Sequence, residues 1–353
     1  MNRKNVIVLI CLSAIFGAAI SYVVSVMVVQ RSQEVSEKTT ESTNQSSTIA
    51  SNCDDINMIR EYNSQLVKPL LLVNVGCESK ELSTLKESVG SLIQSMKAEG
   101  RLTRAGVYFK ELNTTRWTAI NDTELFYPGS LLKVALAINI LKMSETNPAL
   151  LDKKLVFNQK VEMKITEAPQ HPLIPGNDYS VRELVDAAIA ESNNDAVTML
   201  LEVFDKKMYE DMFNEIAIPI PDLADAYYRF SPADFSKFFR ILYNATYLNH
   251  ANSEYCMNLL LRCNFDKGIT RDLPSSAKVA HKFGERYTES KLTQFHEAGV
   301  VYAGGKPYVI SIMSEGENHD MLIDCVARIS KLVFDLNSKG AAVANQSDSQ
   351  FNS

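Results

Sequence analysis

The sequence predicts an α/β fold of the α+β type: an antiparallel sheet from N- and C-terminal strands, covered by terminal helices, plus an all-helical subdomain. Three observations predict it. Two β-prone segments lie near residue 104 and three more beyond residue 279. Apolar residues at i, i+3, i+4 and i+7 spacing mark helices between those groups and on both flanks. The turns Asn113-Thr114-Thr115 and Gly304-Gly305 join neighbouring strands as hairpins, which makes the pairings antiparallel.

Taken in chain order, the first element is an apolar run. Arg3 and Lys4 precede Val6–Val29, 24 residues without a charge. As a helix this run spans about 36 Å, enough to cross a hydrocarbon core of about 30 Å. A cleaved signal has an apolar core of only about 7–15 residues, so residues 1–31 are expected to stay as a single-pass anchor in the cell membrane. Arg3, Lys4 and the amino terminus outweigh Arg31 and place the remainder outside the cytoplasm. Cys11 falls in mid-span after the bulky Ile10 and reads as an apolar membrane residue. Residues 32–52, rich in Ser, Thr, Gln and Glu, read as a disordered linker.

Residues 53–100 read as a helical lead-in, first through Ile56, Ile59 and Tyr62, then through Leu82, Leu85, Val89, Leu92, Ile93 and Met96. The main domain, 101–337, opens with strands Arg104–Leu112 and Arg116–Ile120 and closes with Val279–Phe283, Ala298–Tyr302 and Tyr308–Ser314. Between them lie helices over Leu131–Met143, Val181–Ala190, Ala196–Phe204, Pro232–Tyr243 and Glu254–Cys263; Asp320–Asn337 follows the last strand. Residues 338–353, small and polar, read as a flexible tail.

Composition excludes some functions. A net charge of -6 with no basic cluster gives nucleic acid nothing to bind. Six cysteines without a C-x-x-C and five scattered histidines form no metal pattern, and no cofactor is expected. A Cys53–Cys77 disulfide is open to the chain; Cys256, Cys263 and Cys325 read as buried free thiols.

Three short motifs carry chemistry. Ser130-Leu131-Leu132-Lys133 follows Pro128-Gly129 and opens an apolar helix. Residues three apart share a helix face, so the Lys133 amine can approach the Ser130 hydroxyl. A serine needs a base to become a nucleophile, and a desolvated lysine can be one. Such a pair is common by chance, but Lys133 is the single charge in the run Leu131–Ile140. The second motif, Ser192-Asn193-Asn194, interrupts two helical patterns and offers a hydroxyl and a carboxamide; alone it would pass as an ordinary turn. The third, Lys282-Phe283-Gly284, puts a lysine on a strand and a glycine where a ligand can approach the backbone; alone it would pass as an edge-strand lysine.

Together, in this order, Ser-x-x-Lys, Ser-x-Asn and Lys-x-Gly resemble the motif set of class A β-lactamases and penicillin-binding proteins. The resemblance extends through Trp117–Lys133, Gly176–Leu201 and His281–Gly316. It implies that Ser130 is acylated, Lys133 is its base and Ser192 relays the proton. It also implies that Asn194 and Lys282 bind substrate beside Gly284, and that the backbone N–H groups of Ser130 and Glu285 form an oxyanion hole.

Two departures qualify this. Phe283 replaces the hydroxyl residue the family carries between Lys and Gly. The water-activating glutamate has no clear counterpart: Glu202, Glu210 and Glu215 fall in helical patterns, and the following loop offers only Asp222 and Asp225. The expected function is therefore a β-lactamase-like serine hydrolase acting on a β-lactam or related cyclic amide, with deacylation in doubt. The alternatives are a penicillin-binding-type D,D-peptidase or transpeptidase on cell-wall peptides, and a catalytically weak binding domain of the same fold. The partners expected are a small-molecule or peptide amide substrate and the membrane.

Overall fold

The computed structural model describes residues 56–61, 69–158, 169–221, 228–287, 291–302 and 305–350. The chain divides into two units, 1–50 and 51–353, and the first lies outside the described residues. The run read as a membrane anchor and the linker up to residue 52 therefore lie outside them too. No helix among the described residues is long and apolar enough to cross a membrane.

The lead-in begins differently from the helical expectation. Ile56–Arg60 (β1) and Leu70–Val75 (β2) form an antiparallel hairpin in which Met58 faces Val73. The Ile56/Ile59 spacing fits a helix, but five residues are too few to bury a helical stripe, and a run of Leu and Val supplies a partner strand. Leu71 and Leu72 are buried, and Arg240 and Thr246 donate to the carbonyls of Val73 and Leu71, both at 2.8 Å. The second lead-in pattern is the helix Ser83–Ala98 (α1), burying Leu85, Val89, Ile93 and Met96 as expected.

The main sheet comprises Arg104–Glu111 (β3), Trp117–Ile120 (β4), Lys278–Tyr287 (β7), Thr293–Tyr302 (β8) and Tyr308–Gly316 (β9), in the order β4-β3-β9-β8-β7. Every pairing is antiparallel. A short pair, Lys154–Val156 (β5) with Asp178–Ser180 (β6), stands apart. β7 and β8 each run ten residues, about twice the expected length. Their polar residues hide the strand period, yet they are buried and paired: His281 Nδ1 lies 2.5 Å from Glu297 Oε1, and Ile269 N donates to Glu297 Oε2 at 2.8 Å.

One sheet face is covered by α1 and the closing helix His319–Gln350 (α8), with Leu85, Val89, Ile329 and Val333 in the shared core. α8 continues beyond residue 337, through most of the segment expected as a loose tail. Against the other face lie Pro232–Tyr243 (α6) and His250–Leu261 (α7), and the helical block continues through Lys133–Thr146 (α2), Val181–Ala190 (α3), Asn194–Leu200 (α4) and Lys206–Glu215 (α5). α3 and α6 open with capping boxes from Ser180 and Ser231, which fix their first turns. α7 starts four residues early because Asn249 caps it through Asn252 N at 2.9 Å. Cys256 and Cys325 are buried free thiols, Cys263 is a half-buried one, and Cys77 is disulfide-bonded.

Candidate active site

Ser130 sits on a short 3-10 turn, Gly129–Leu132, that leads into α2. This turn lies against β7, the edge strand of the sheet, and two glycines make the approach close. A Cβ on Gly129, at φ +54°, would lie 2.4 Å from Glu285 O; one on Gly284 would lie 2.2 Å from Pro128 O. Neither position has room for a side chain. The backbone of Glu285 is thereby held beside the turn that carries Ser130.

Lys133, the first residue of α2, is only 6% exposed. Its Nζ donates to Ser192 O, to Ser192 Oγ at 3.1 Å and to Asn194 Oδ1 at 2.7 Å. The spacing predicts the amine at the Ser130 hydroxyl; its three hydrogen bonds go instead to Ser192, in the turn between α3 and α4, and to Asn194, the first residue of α4. Burial pushes the Lys133 amine well below the ordinary lysine range, the Lys282 charge pushes the same way, and Glu285 opposes. Ser192 itself is held at φ +54°, left-handed for a serine, by the caps around it: Asn193 Oδ1 accepts from Ala196 N at 3.0 Å.

Lys282 is fully buried on β7. Its Nζ lies 4.0 Å from the Phe283 ring centroid and donates to Phe283 O at 3.3 Å. Burial lowers its amine to about 8, against the opposing pull of Cys263, Glu297 and Glu285. Phe283 itself turns away into the core under α8, stacking on Phe265 at 4.5 Å. The Glu285 carboxylate and the His319 ring lie 3.0 Å apart, out of hydrogen-bond alignment. Tyr287 stacks on His319 at 5.7 Å.

A pocket of about 590 Å³ opens here, and Gly129, Ser130, Lys133, Asn194 and Glu285 line it. Of the expected site residues, Ser192 joins this group through Lys133, while Lys282 and Gly284 lie outside the pocket wall. Glu202 is exposed, Glu210 pairs with Lys206 at 3.5 Å and Glu215 is buried; none of the three lines the pocket. Asp222 and Asp225 lie outside the described residues. Sequence reading missed the apolar wall of Leu136, Val197, Leu201, Phe204, Tyr209 and Tyr228. Leu136 follows Lys133 by one helical turn and could have been found that way; Tyr228 arrives from far along the chain and could not. It also missed a stack at the pocket's side. The guanidiniums of Arg229 and Arg286 lie 4.7 and 4.3 Å from the Tyr127 ring centroid, and Arg229 donates to the Tyr127 hydroxyl at 2.7 Å.

Fold and site together define a class: an antiparallel sheet backed by terminal helices, with a Ser-x-x-Lys turn wedged between its edge strand and a helical block. The profile of the β-lactamase enzyme family matches residues 85–336, and the chain belongs to that family. Among solved structures, a β-lactamase from Chitinophaga pinensis shares 21% identity at a TM-score of 0.63, covering 72% of this chain and 99% of its own. The TLA-1 extended-spectrum β-lactamase shares 20% at 0.62, over 72% and 99%. A mutant of PBP-A, solved as an acyl-enzyme complex with penicillin G, shares 18% at 0.61, over 73% and 97%. These likenesses establish the fold. No curated protein matches the chain.

Proposed function

We propose that this protein is an acyl-serine enzyme that attacks a β-lactam or related amide through Ser130. The observation that carries the reading is the buried Lys133 amine, in the same pocket lining as Ser130 and hydrogen-bonded to Ser192 Oγ and Asn194 Oδ1. Lowered by burial, this amine is available as a base. Ser130 Oγ forms a bond to the carbonyl carbon and its proton passes to Lys133 Nζ. The N–H groups of Ser130 and Glu285 stabilise the oxyanion, each such donor being worth about 10²–10³ in rate. The carbon–nitrogen bond then breaks, and the leaving nitrogen takes a proton relayed through Ser192 Oγ. Asn194 orients the substrate amide, and Lys282, one strand position from Phe283, supplies positive potential from behind the pocket.

One observation favours the penicillin-binding side of the family over fast hydrolysis. Among the described residues the pocket lining holds one carboxylate, Glu285, which lies 3.0 Å from the His319 ring, where a hydrolase needs a carboxylate directed at a water. Acylation is supported; rapid release is not. The apolar run Val6–Val29 supports a membrane-anchored, extracytoplasmic enzyme.

Fluorescent penicillin followed by gel and mass analysis tests this reading. Wild type is expected to gain one covalent adduct on Ser130 that persists for hours, and Ser130→Ala none. No adduct on wild type, or labelling of Ser130→Ala, would overturn the nucleophile; release within seconds would restore the β-lactamase reading.

A further inference from the structure

The same apolar wall points to the substrate class, in an inference that rests on the acyl-serine reading above. Leu136 lies one helical turn beyond Lys133 on α2, and Val197 one turn beyond Asn194 on α4, so both helices continue from polar chemistry into hydrocarbon. Leu201, at the end of α4, is 54% exposed although it belongs to the pocket lining. Phe204 and Tyr209 meet edge to face at 5.1 Å and close the far side with Tyr228. The charged residues of the described lining, Lys133, Glu285 and Arg286, belong to the Ser130 end of the pocket or to β7, and the Glu285 carboxylate lies 3.0 Å from the His319 ring. A bound water wants two to four polar partners, and this wall gives it few. A charged or amide-bearing side chain placed against Leu136, Val197, Leu201 and Phe204 would lose its hydration without recovering hydrogen bonds from them.

We propose that the pocket receives an apolar acyl side chain, and that the substrate is an amide or ester whose acyl part carries a hydrocarbon or aromatic group. In the acylation step Ser130 Oγ bonds to the acyl carbon and the bond to the leaving nitrogen or oxygen breaks. The hydroxyl proton goes to Lys133 Nζ, and the acyl chain stays in the pocket. Each methylene that enters adds to transition-state binding.

p-Nitrophenyl acetate, butyrate, hexanoate and octanoate, given to the full-length protein in detergent, test this through the second-order rate of p-nitrophenolate release. Burial of each methylene is expected to raise that rate about fourfold, or roughly fifteenfold per two-carbon step, until the pocket fills. Leu201→Asp, at an exposed position, is expected to fold and to flatten the series; Ser130→Ala is expected to abolish it. A flat or falling series in wild type overturns the apolar substrate class while leaving Ser130 as nucleophile. A slope that survives Leu201→Asp and a matching Val197→Asp overturns the location. No release with any ester, together with no Ser130 adduct from a small fluorophosphonate, overturns this inference and the acyl-serine reading at once.

Discussion

The protein buries a lysine in two regions, with similar physics and different surroundings. Lys133 sits between the sheet edge and the helical block; Lys110 lies on β3, under α6 and near the β1–β2 hairpin. Both are lowered first by burial and then by a neighbouring cation, Lys282 for Lys133 and Arg240 for Lys110, which brings Lys110 to about 7. Yet Lys110 donates only to Thr115 O, at 2.8 Å, and lines no described pocket. Lys133 shares its cavity with the Ser130 hydroxyl and the Asn194 carboxamide, and donates to the Ser192 hydroxyl. The difference teaches that a depressed lysine is a resource of burial, and that its neighbours decide whether it becomes a base.

The sharpest way to break the comparison is to remove each amine. Lys133→Ala is expected to slow penicillin acylation about 10³–10⁴-fold, whereas Lys110→Met leaves it within about twofold; stopped-flow acylation rates decide. A comparable loss from Lys110→Met would mean that the two sites are not distinct.

The next largest effect is on pH. The acylation rate should climb as pH rises through the lowered Lys133 value, because only the neutral amine accepts the serine proton. Above about 8 it should fall by roughly tenfold per unit as Lys282 loses its charge. In Lys282→Arg, which keeps its charge, that descending limb is expected to move up or vanish. A wild-type profile flat from 6 to 10 would contradict both assignments.

The smallest effect concerns stability. Lys110 titrates near 7 in the fold and about 10.4 when unfolded, so between those values the unfolded chain holds the extra proton. Stability should therefore rise with pH across that window and level off above it. Lys110→Met, which removes the buried cation, should gain about 1–2 kcal/mol near neutral pH and lose that slope. Chemical denaturation at several pH values measures both.

Much of the fold was legible from local signals. α3 and α6 begin and end where periodicity puts them, and α1 buries the stripe its spacing displays. The β1–β2 hairpin was not, because Ile56 and Ile59 satisfy a helical spacing and only the distant partner strand decides between periods. β8 outran its reading because Thr293, Gln294, His296 and Glu297 are polar yet buried, and β7 runs on through Glu285 and Arg286 to pair with them, a stretch that hydropathy alone reads as a strand end. In the site, Ser130, Lys133, Ser192 and Asn194 could be named because their order along the chain is itself a pattern. The hydrogen-bond partners of Lys133 and the apolar wall could not, since both depend on how α2, α4 and residue 228 meet in space.

The meeting of Gly129 with Glu285, and of Gly284 with Pro128, has a mechanical meaning as well. A side chain between two elements acts as a cushion, changing rotamer to absorb a small shift. Here backbone rests on backbone and the seam has no such damping. A displacement of β7 by a fraction of an ångström therefore reaches the turn carrying Ser130 undiminished, and the aim of the nucleophile is set by the stiffness of the whole sheet rather than by any one neighbour.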